Sequence, residues 1–204
     1  MKRHVFVVLL CSLALAGSAF ADDLVPPPWQ RGTEGSTWAA WEFSTCDPNP
    51  MPDAGYLPYG ESDMTVWTGI GQEWWDSWEG RQGVWPLSGA LEALLLNRPE
   101  PLPYKDIQVQ ITWRPQVPGG FLMVRETMWG ATGSLIGEMP LADGWTHSTY
   151  LIHLEPNPEM EIVRIDGSVM IDELVIDTIC IPEPMTVSLL TVGAGALALR
   201  RRRR

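Results

Sequence analysis

Basic residues are scarce in this 204-residue chain, and they are poorly placed for binding polyanions. Fourteen lysines and arginines stand against 25 aspartates and glutamates, and half of the fourteen sit at the two ends, as Lys2, Arg3 and Arg200 to Arg204. The body between them, Asp22 to Ile181, keeps only seven basic residues against 24 acidic ones, a net charge of −17. Such a body is repelled by phosphate backbones and anionic lipid, which excludes nucleic acid as a partner. Histidine and cysteine are equally rare, three of each. His147 and His153 stand alone, with no cysteine or histidine at zinc-binding spacing. No Gly-x-Ser-x-Gly nucleophile motif is present: Gly133-Ser134 has Ile136 where the second glycine belongs. There is no Asn-x-Ser/Thr sequon and no internal repeat. Without a catalytic constellation the chain reads as a non-enzyme.

The ends of the chain carry the sharpest signals. Met1 to Ala21 has a basic start at Lys2 and Arg3, an apolar stretch from Val5 to Ala16, and Ala19-Phe20-Ala21 as an A-x-A site, the three parts of a secretory signal peptide cut after Ala21. At the other end, Pro182-Glu183-Pro184 is followed by an uncharged apolar run from Met185 to Leu199 and then by Arg200, Arg201, Arg202, Arg203 and Arg204. Prolines hold the strap extended, and the arginines favour a cytoplasmic end. The fifteen-residue run, read as a transmembrane helix, covers about 22 Å of a hydrocarbon core of about 30 Å. Snorkelling arginine stems recover part of the difference.

This order of motif, apolar run and arginine cluster resembles the PEP-CTERM sorting signal. The resemblance implies recognition by exosortase, a membrane protease that cuts near the motif. It also implies an exported protein, anchored in the inner membrane as a precursor and then placed at the cell surface or outside the cell. Three segments follow: a signal peptide, residues 1–21; one domain, residues 22–181; and a sorting tail, residues 182–204.

Within the domain the hydrophobic pattern has a period of two. Ser36 to Thr45, Met64 to Ile70, Tyr104 to Arg114, Gly120 to Trp129, Ser134 to Glu138, Trp145 to Leu154, Met160 to Ile165 and Ser168 to Ile179 read as strands, and Ala90 to Asn97 leans the same way. Asp166-Gly167 and the Pro- and Gly-containing stretches between them read as turns, and Cys46 to Gly60 as a loop. In Tyr104 to Arg114, Ile107, Val109, Ile111 and Trp113 face a core while Gln108, Gln110 and Thr112 face water. His147 and His153 alternate along their strand as surface or rim residues. Asp22 to Gly35 is a lead-in with Trp29 as its expected anchor. So many short strands without a convincing helix indicate an all-β, antiparallel β-sandwich. The last run, Val169-Met170-Ile171-Asp172-Glu173-Leu174-Val175-Ile176-Asp177, is similar to the closing strand of jelly-roll carbohydrate-binding and lectin-like domains. Cys46 and Cys180 remain after signal cleavage, and in an oxidising compartment an even count favours a disulfide between them; two separately buried thiols are the alternative.

Phenylalanine and tyrosine number four each, whereas tryptophan numbers eleven, and five of those eleven fall between Trp67 and Trp85. Indole faces stack on the C–H faces of sugar rings, and Trp74, Trp75 and Trp78 with Gln72 and Arg81 are the candidate glycan contacts, an extracellular polysaccharide being the possible partner. The competing assignment is core packing, since tryptophan is mostly buried. Adjacent Trp74 and Trp75 point to opposite faces of an extended chain, so one strand does not bury both. Glu73, Asp76 and Glu79 supply the carboxylate pairs that a glycosidase needs, but acidic pairs abound in so negative a chain. No cofactor is expected. Structural Ca2+ is the one ion considered, through Asp166, Asp172, Glu173 and Asp177. The function expected is structural or adhesive, at the envelope or in an extracellular matrix, with carbohydrate binding through Trp67 to Trp85 as the alternative.

Overall fold

The C-terminal run that the sequence divides at Asp166-Gly167 is one strand of 22 residues, Met160–Ile181. Gly167 makes no turn. A Cβ there would lie 2.7 Å from the Phe121 carbonyl oxygen, so glycine serves the close approach of a neighbouring backbone, whose oxygen accepts the Ser168 N–H. The computed structural model describes residues 23–69, 72–99 and 102–181. The signal peptide with Ala19 and Ala21, the Pro182-Glu183-Pro184 motif, the apolar run and Arg200 to Arg204 lie outside the described residues. Among the described residues no helix is long and apolar enough to cross a membrane.

The described strands are β1 (Ser36–Trp41), β2 (Ala54–Tyr56), β3 (Asp63–Trp67), β4 (Trp75–Trp78), β5 (Arg81–Leu96), β6 (Tyr104–Pro115), β7 (Leu122–Glu126), β8 (Ser134–Pro140), β9 (Thr146–Leu154) and β10 (Met160–Ile181). Every pairing is antiparallel. The fold is therefore all-β, with a short 3-10 turn at Ala142–Gly144. Ala90 to Asn97 belongs to a longer strand than its own composition suggests, because β5 begins at Arg81.

β10 organises both layers. Its first half, Met160–Ile171, pairs with β5, and Val163–Gly167 pairs with β7 on the other side. Its second half, from Glu173 onward, lies between β6 and β1. The register slips between Ile171 and Glu173, so Asp172 is a bulge. A straight strand of this length would separate its ends by roughly 70 Å. Yet Lys105, opposite Cys180 near the end of β10, reaches Glu161 near its start at 2.6 Å. β10 thus doubles back near its bulge and faces itself across the core. One layer runs β2-β1-β10-β6-β9-β8; the other is β3 and β4 on β5, then β10 and β7. Trp41, Ile107, Ile111, Ile152 and Ile176 from the first share one core with Met64, Leu91, Val124, Val163 and Ile171 from the second.

Two sequence expectations fail on packing grounds. Gln108, Gln110 and Thr112 are buried, because the N-terminal segment lies across that face. Gln108 Nε2 donates to the Val25 carbonyl at 2.6 Å, and the Val25 N–H donates to Gln110 Oε1 at 2.9 Å. Arg31 anchors this strap alongside Trp29, which is partly buried with its indole nitrogen out of water. Arg31 donates to both carboxylate oxygens of buried Asp177, at 2.5 and 2.6 Å, and to Asp23. Burial raises the Asp177 carboxyl above the usual range even against Arg31.

The disulfide is the second correction. Cys46 and Cys180 are both free, Cys46 exposed and Cys180 buried. The Cys180 N–H bonds to the Gly35 carbonyl just before β1, while Cys46 lies beyond the other end of that strand. The six residues of β1 span roughly 20 Å, far beyond the Cα separation a disulfide allows.

Candidate functional site

The tryptophan-rich segment forms a hairpin that projects past the fold of β10. β4 pairs with the start of β5 through Trp75 with Val84, Ser77 with Gln82, and Trp78 with Arg81. Glu79 and Gly80 make the turn at φ 48° and 81°, the two positive values that a two-residue type I′ turn requires. At the base of the hairpin, Gly83 has φ +74°, and a Cβ there would lie 2.4 Å from the Phe43 carbonyl oxygen. Only glycine lets these backbones approach. That Phe43 oxygen accepts the Trp74 Nε1–H at 2.8 Å, so the indole of Trp74 is held in place from outside its own hairpin.

The five tryptophans separate by environment. Trp85 is 5% exposed and belongs to the core, so core packing accounts for it. Trp74 is partly buried against that core. Trp78 is partly buried too, edge-on to Trp145 at 5.8 Å and beneath the Arg114 guanidinium at 5.2 Å. Trp75 is 50% exposed and Trp67 47% exposed, the latter under the Arg164 guanidinium. Adjacent Trp74 and Trp75 therefore diverge, as an extended chain requires.

Three clefts meet around Trp74. The first, about 450 Å³, is lined by Trp74, Trp75 and Trp78 together with Gln72, Glu73, Pro86, Gln116 and Met170. A second, about 380 Å³, shares Gln72, Glu73 and Trp74 and is completed by Cys46, Pro48, Val66, Thr68 and Trp85. The third, about 300 Å³, has more polar side chains among its walls than the others, with Asp76, Arg81, Asp172 and Glu173 beside Trp74. Gln72 Nε2 donates to Gln116 Oε1 at 3.4 Å, and Ser88 donates to the same oxygen at 3.0 Å. Among the described residues, Gln72 Oε1 is buried without a hydrogen-bond partner. Arg81 donates to Asp172 at 3.0 Å, which fixes it beside the bulge. An indole wall with amide groups at its edge offers stacking to a flat apolar surface and hydrogen bonds to its rim, the two requirements of sugar recognition.

All five sequence-assigned contacts thus border these clefts, with Trp74, Trp75, Trp78 and Gln72 in the first and Arg81 in the third. Gln116, Pro86, Met170 and Thr68 were not legible. They arrive from the loop after β6, from β5, from β10 and from the loop after β3, and no local pattern links them to the tryptophans. The acidic residues considered for calcium are engaged by arginines: Asp166 by Arg125 and Arg164, Asp172 by Arg81, and Asp177 by Arg31. Glu173 is partly buried in the third cleft. Among the described residues no three of His, Cys, Asp and Glu are grouped to hold a metal ion. Glu73 and Asp76 are exposed, and Glu79 pairs with Arg114 at 3.4 Å. His147 departs from its expected rim position: it is 1% exposed, with Nδ1 3.1 Å from the Thr112 hydroxyl. His153 is exposed beside Asp106.

No protein-family model matches the chain, and no curated protein matches it. Among solved structures, a carbohydrate-binding module from Cellvibrio mixtus lichenase 5A, in complex with cellotriose, is similar at 14% identity and a TM-score of 0.28. The match covers 69% of this chain and 94% of that one.

Proposed function

We propose that this chain is an exported, non-catalytic glycan-binding β-sandwich of jelly-roll type, adhesive or structural in role, sorted by its C-terminal tail through an exosortase. The observation that carries the binding reading is the cleft in which three indoles converge, one of them half exposed, on a hairpin whose remaining large side chains are packed. Trp75 is 50% exposed, and the exposed half of its indole gains nothing from burial, so stability does not account for that half.

The position of the tail suits this reading. Ile181, the last described residue, pairs with Tyr104, and Asp172 to Cys180 spans roughly 26 Å at about 3.3 Å per residue. A domain held at Ile181 presents the tryptophan clefts at its far end, away from the membrane. The sorting proposal rests on Pro182-Glu183-Pro184, the apolar run and the arginines, and on nothing in the folded domain.

Two experiments test the two halves separately. Retention on immobilised neutral and acidic polysaccharides is measured for the wild type and for Trp75→Ala; the variant is expected to lose at least about tenfold in affinity, or 1.4 kcal/mol. Unchanged retention would remove the hairpin from the binding site. For sorting, replacing Pro182-Glu183-Pro184 by alanines is expected to leave the precursor in the inner membrane. An unchanged mature mass and location would refute that half.

A further inference from the structure

We infer that the ligand is an extended, uncharged glycan chain that passes from the Trp75 cleft to the Cys46 cleft, with Trp74 as the shared wall and Gln72 as the residue read at the junction. This rests on the glycan-binding reading and goes further by assigning a second subsite and a charge class.

The two clefts, about 450 and 380 Å³, have Gln72, Glu73 and Trp74 in common. Trp74 is a fixed partition, because Phe43 holds its Nε1–H and the core supports its ring. Among the described residues, two buried polar atoms along this path have no hydrogen-bond partner, Gln72 Oε1 at the junction and Trp85 Nε1 in the second cleft. Gln72 Oε1 is an acceptor with nothing to accept, and Trp85 Nε1, on a side chain 5% exposed, is a donor with nothing to receive it. Leaving a buried polar group unpaired is costly, so a ligand that brings both a donor and an acceptor is favoured. A sugar hydroxyl is both. Uronic and sulfated chains keep hydroxyls of their own, so it is charge that separates them: a carboxylate or sulfate meets Glu73 in both clefts on a body of net charge −17. Uronic and sulfated chains are therefore disfavoured, and neutral hexose or N-acetylhexosamine chains fit.

Cys46 provides the readout. It is exposed and lines only the second of these two clefts, whereas Cys180 is buried. The exported protein, in which Cys46 and Cys180 are the cysteines left after signal cleavage, is titrated with disaccharides and hexasaccharides of neutral glucan and of N-acetylglucosamine, and with oligogalacturonate of equal length. Alkylation of Cys46 by a bulky maleimide is followed in parallel. The hexasaccharide of one neutral series is expected to bind about tenfold tighter than its disaccharide and to slow Cys46 alkylation by a similar factor, and Gln72→Leu is expected to remove most of that length advantage. Affinity independent of length with no protection of Cys46, while Trp75→Ala still abolishes binding, would overturn the two-cleft inference and leave the glycan reading standing. Tighter binding of oligogalacturonate would overturn the charge class. Absence of binding to every chain tested would overturn the glycan reading itself and this inference with it.

Discussion

The two ends of the sandwich treat their polar groups in opposite ways. At the fold of β10 around Asp172, indoles, a glutamine and an arginine border three open clefts. At the other end, where the termini of β10 meet, Lys105 and Glu161 form an ion pair with neither side chain exposed. Asn97 is buried beside it, donating to the Pro158 carbonyl at 2.7 Å, and the Cys180 thiol, raised by burial, contacts Asn157. The open end spends little apolar burial on its own hairpin and is supported from outside, through Phe43, Trp145 and Arg114. The sealed end holds two charges out of water, where neither survives alone. A ligand site tolerates the first arrangement and a structural clamp requires the second.

The comparison breaks most strongly at the clamp. Lys105→Met leaves Glu161 buried without its cation and is expected to lose about 3–5 kcal/mol in urea unfolding. The double variant Lys105→Met/Glu161→Leu should recover most of that loss, and glycan retention should be unaffected where the protein is folded. A single variant no less stable than wild type would mean that the pair is not desolvated. Next in size is the strap: Arg31→Met deprives Asp177 of both hydrogen bonds at a cost of about 2–3 kcal/mol, measured in the same way. Gly83→Ala is expected to cost more than about 1 kcal/mol, because its left-handed backbone and the Phe43 oxygen both oppose a Cβ. It should also weaken glycan retention by displacing the partner of Trp74. Trp75→Ala sharpens the contrast from the opposite side, with a stability change within about 0.5 kcal/mol alongside its loss of binding.

The smallest effect is in pH. Burial holds the Glu161 carboxyl above its ordinary 4.5, against the pull of Lys105. The folded state then keeps this proton longer than the unfolded one, so the contribution is fully present below the ordinary value and is lost as pH rises through the folded value. Asp23 runs the other way. Burial acts to raise it, but hydrogen bonds from Arg31 and Gln110 hold it below its ordinary 3.8. Its contribution is present above that value and is lost as pH falls through the folded one. Urea midpoints measured across this range should show Glu161→Gln flattening the fall toward higher pH and Asp23→Asn flattening the acid limb; a slope unchanged by either variant would contradict the corresponding assignment.

Much of the fold was legible because a period of two survives wherever one face of a strand meets the core. Ile107, Val109 and Ile111 are buried as the alternation demands. The opposite face misled, because Gln108 and Gln110 are polar for a different reason: they hydrogen-bond a strap that covers them. Asp166-Gly167 misled likewise, since a glycine kept for close backbone approach has the same letter as one kept for a turn. The site was half legible. Trp74, Trp75 and Trp78 announce themselves by composition, but which indole is open depends on Phe43, Trp145 and Arg114, all remote in sequence.

The sequence by itself determined the period of the strands, the acidic charge of the body and the signals expected at the two ends, because each depends on residues adjacent in the chain. Only the tertiary structure decided that β10 doubles back, that Cys46 and Cys180 lie at opposite ends of β1, and that Gln72, Gln116 and Met170 meet the tryptophans in one cleft. Those outcomes depend on register between strands far apart in sequence, and register is set by which faces can be buried together.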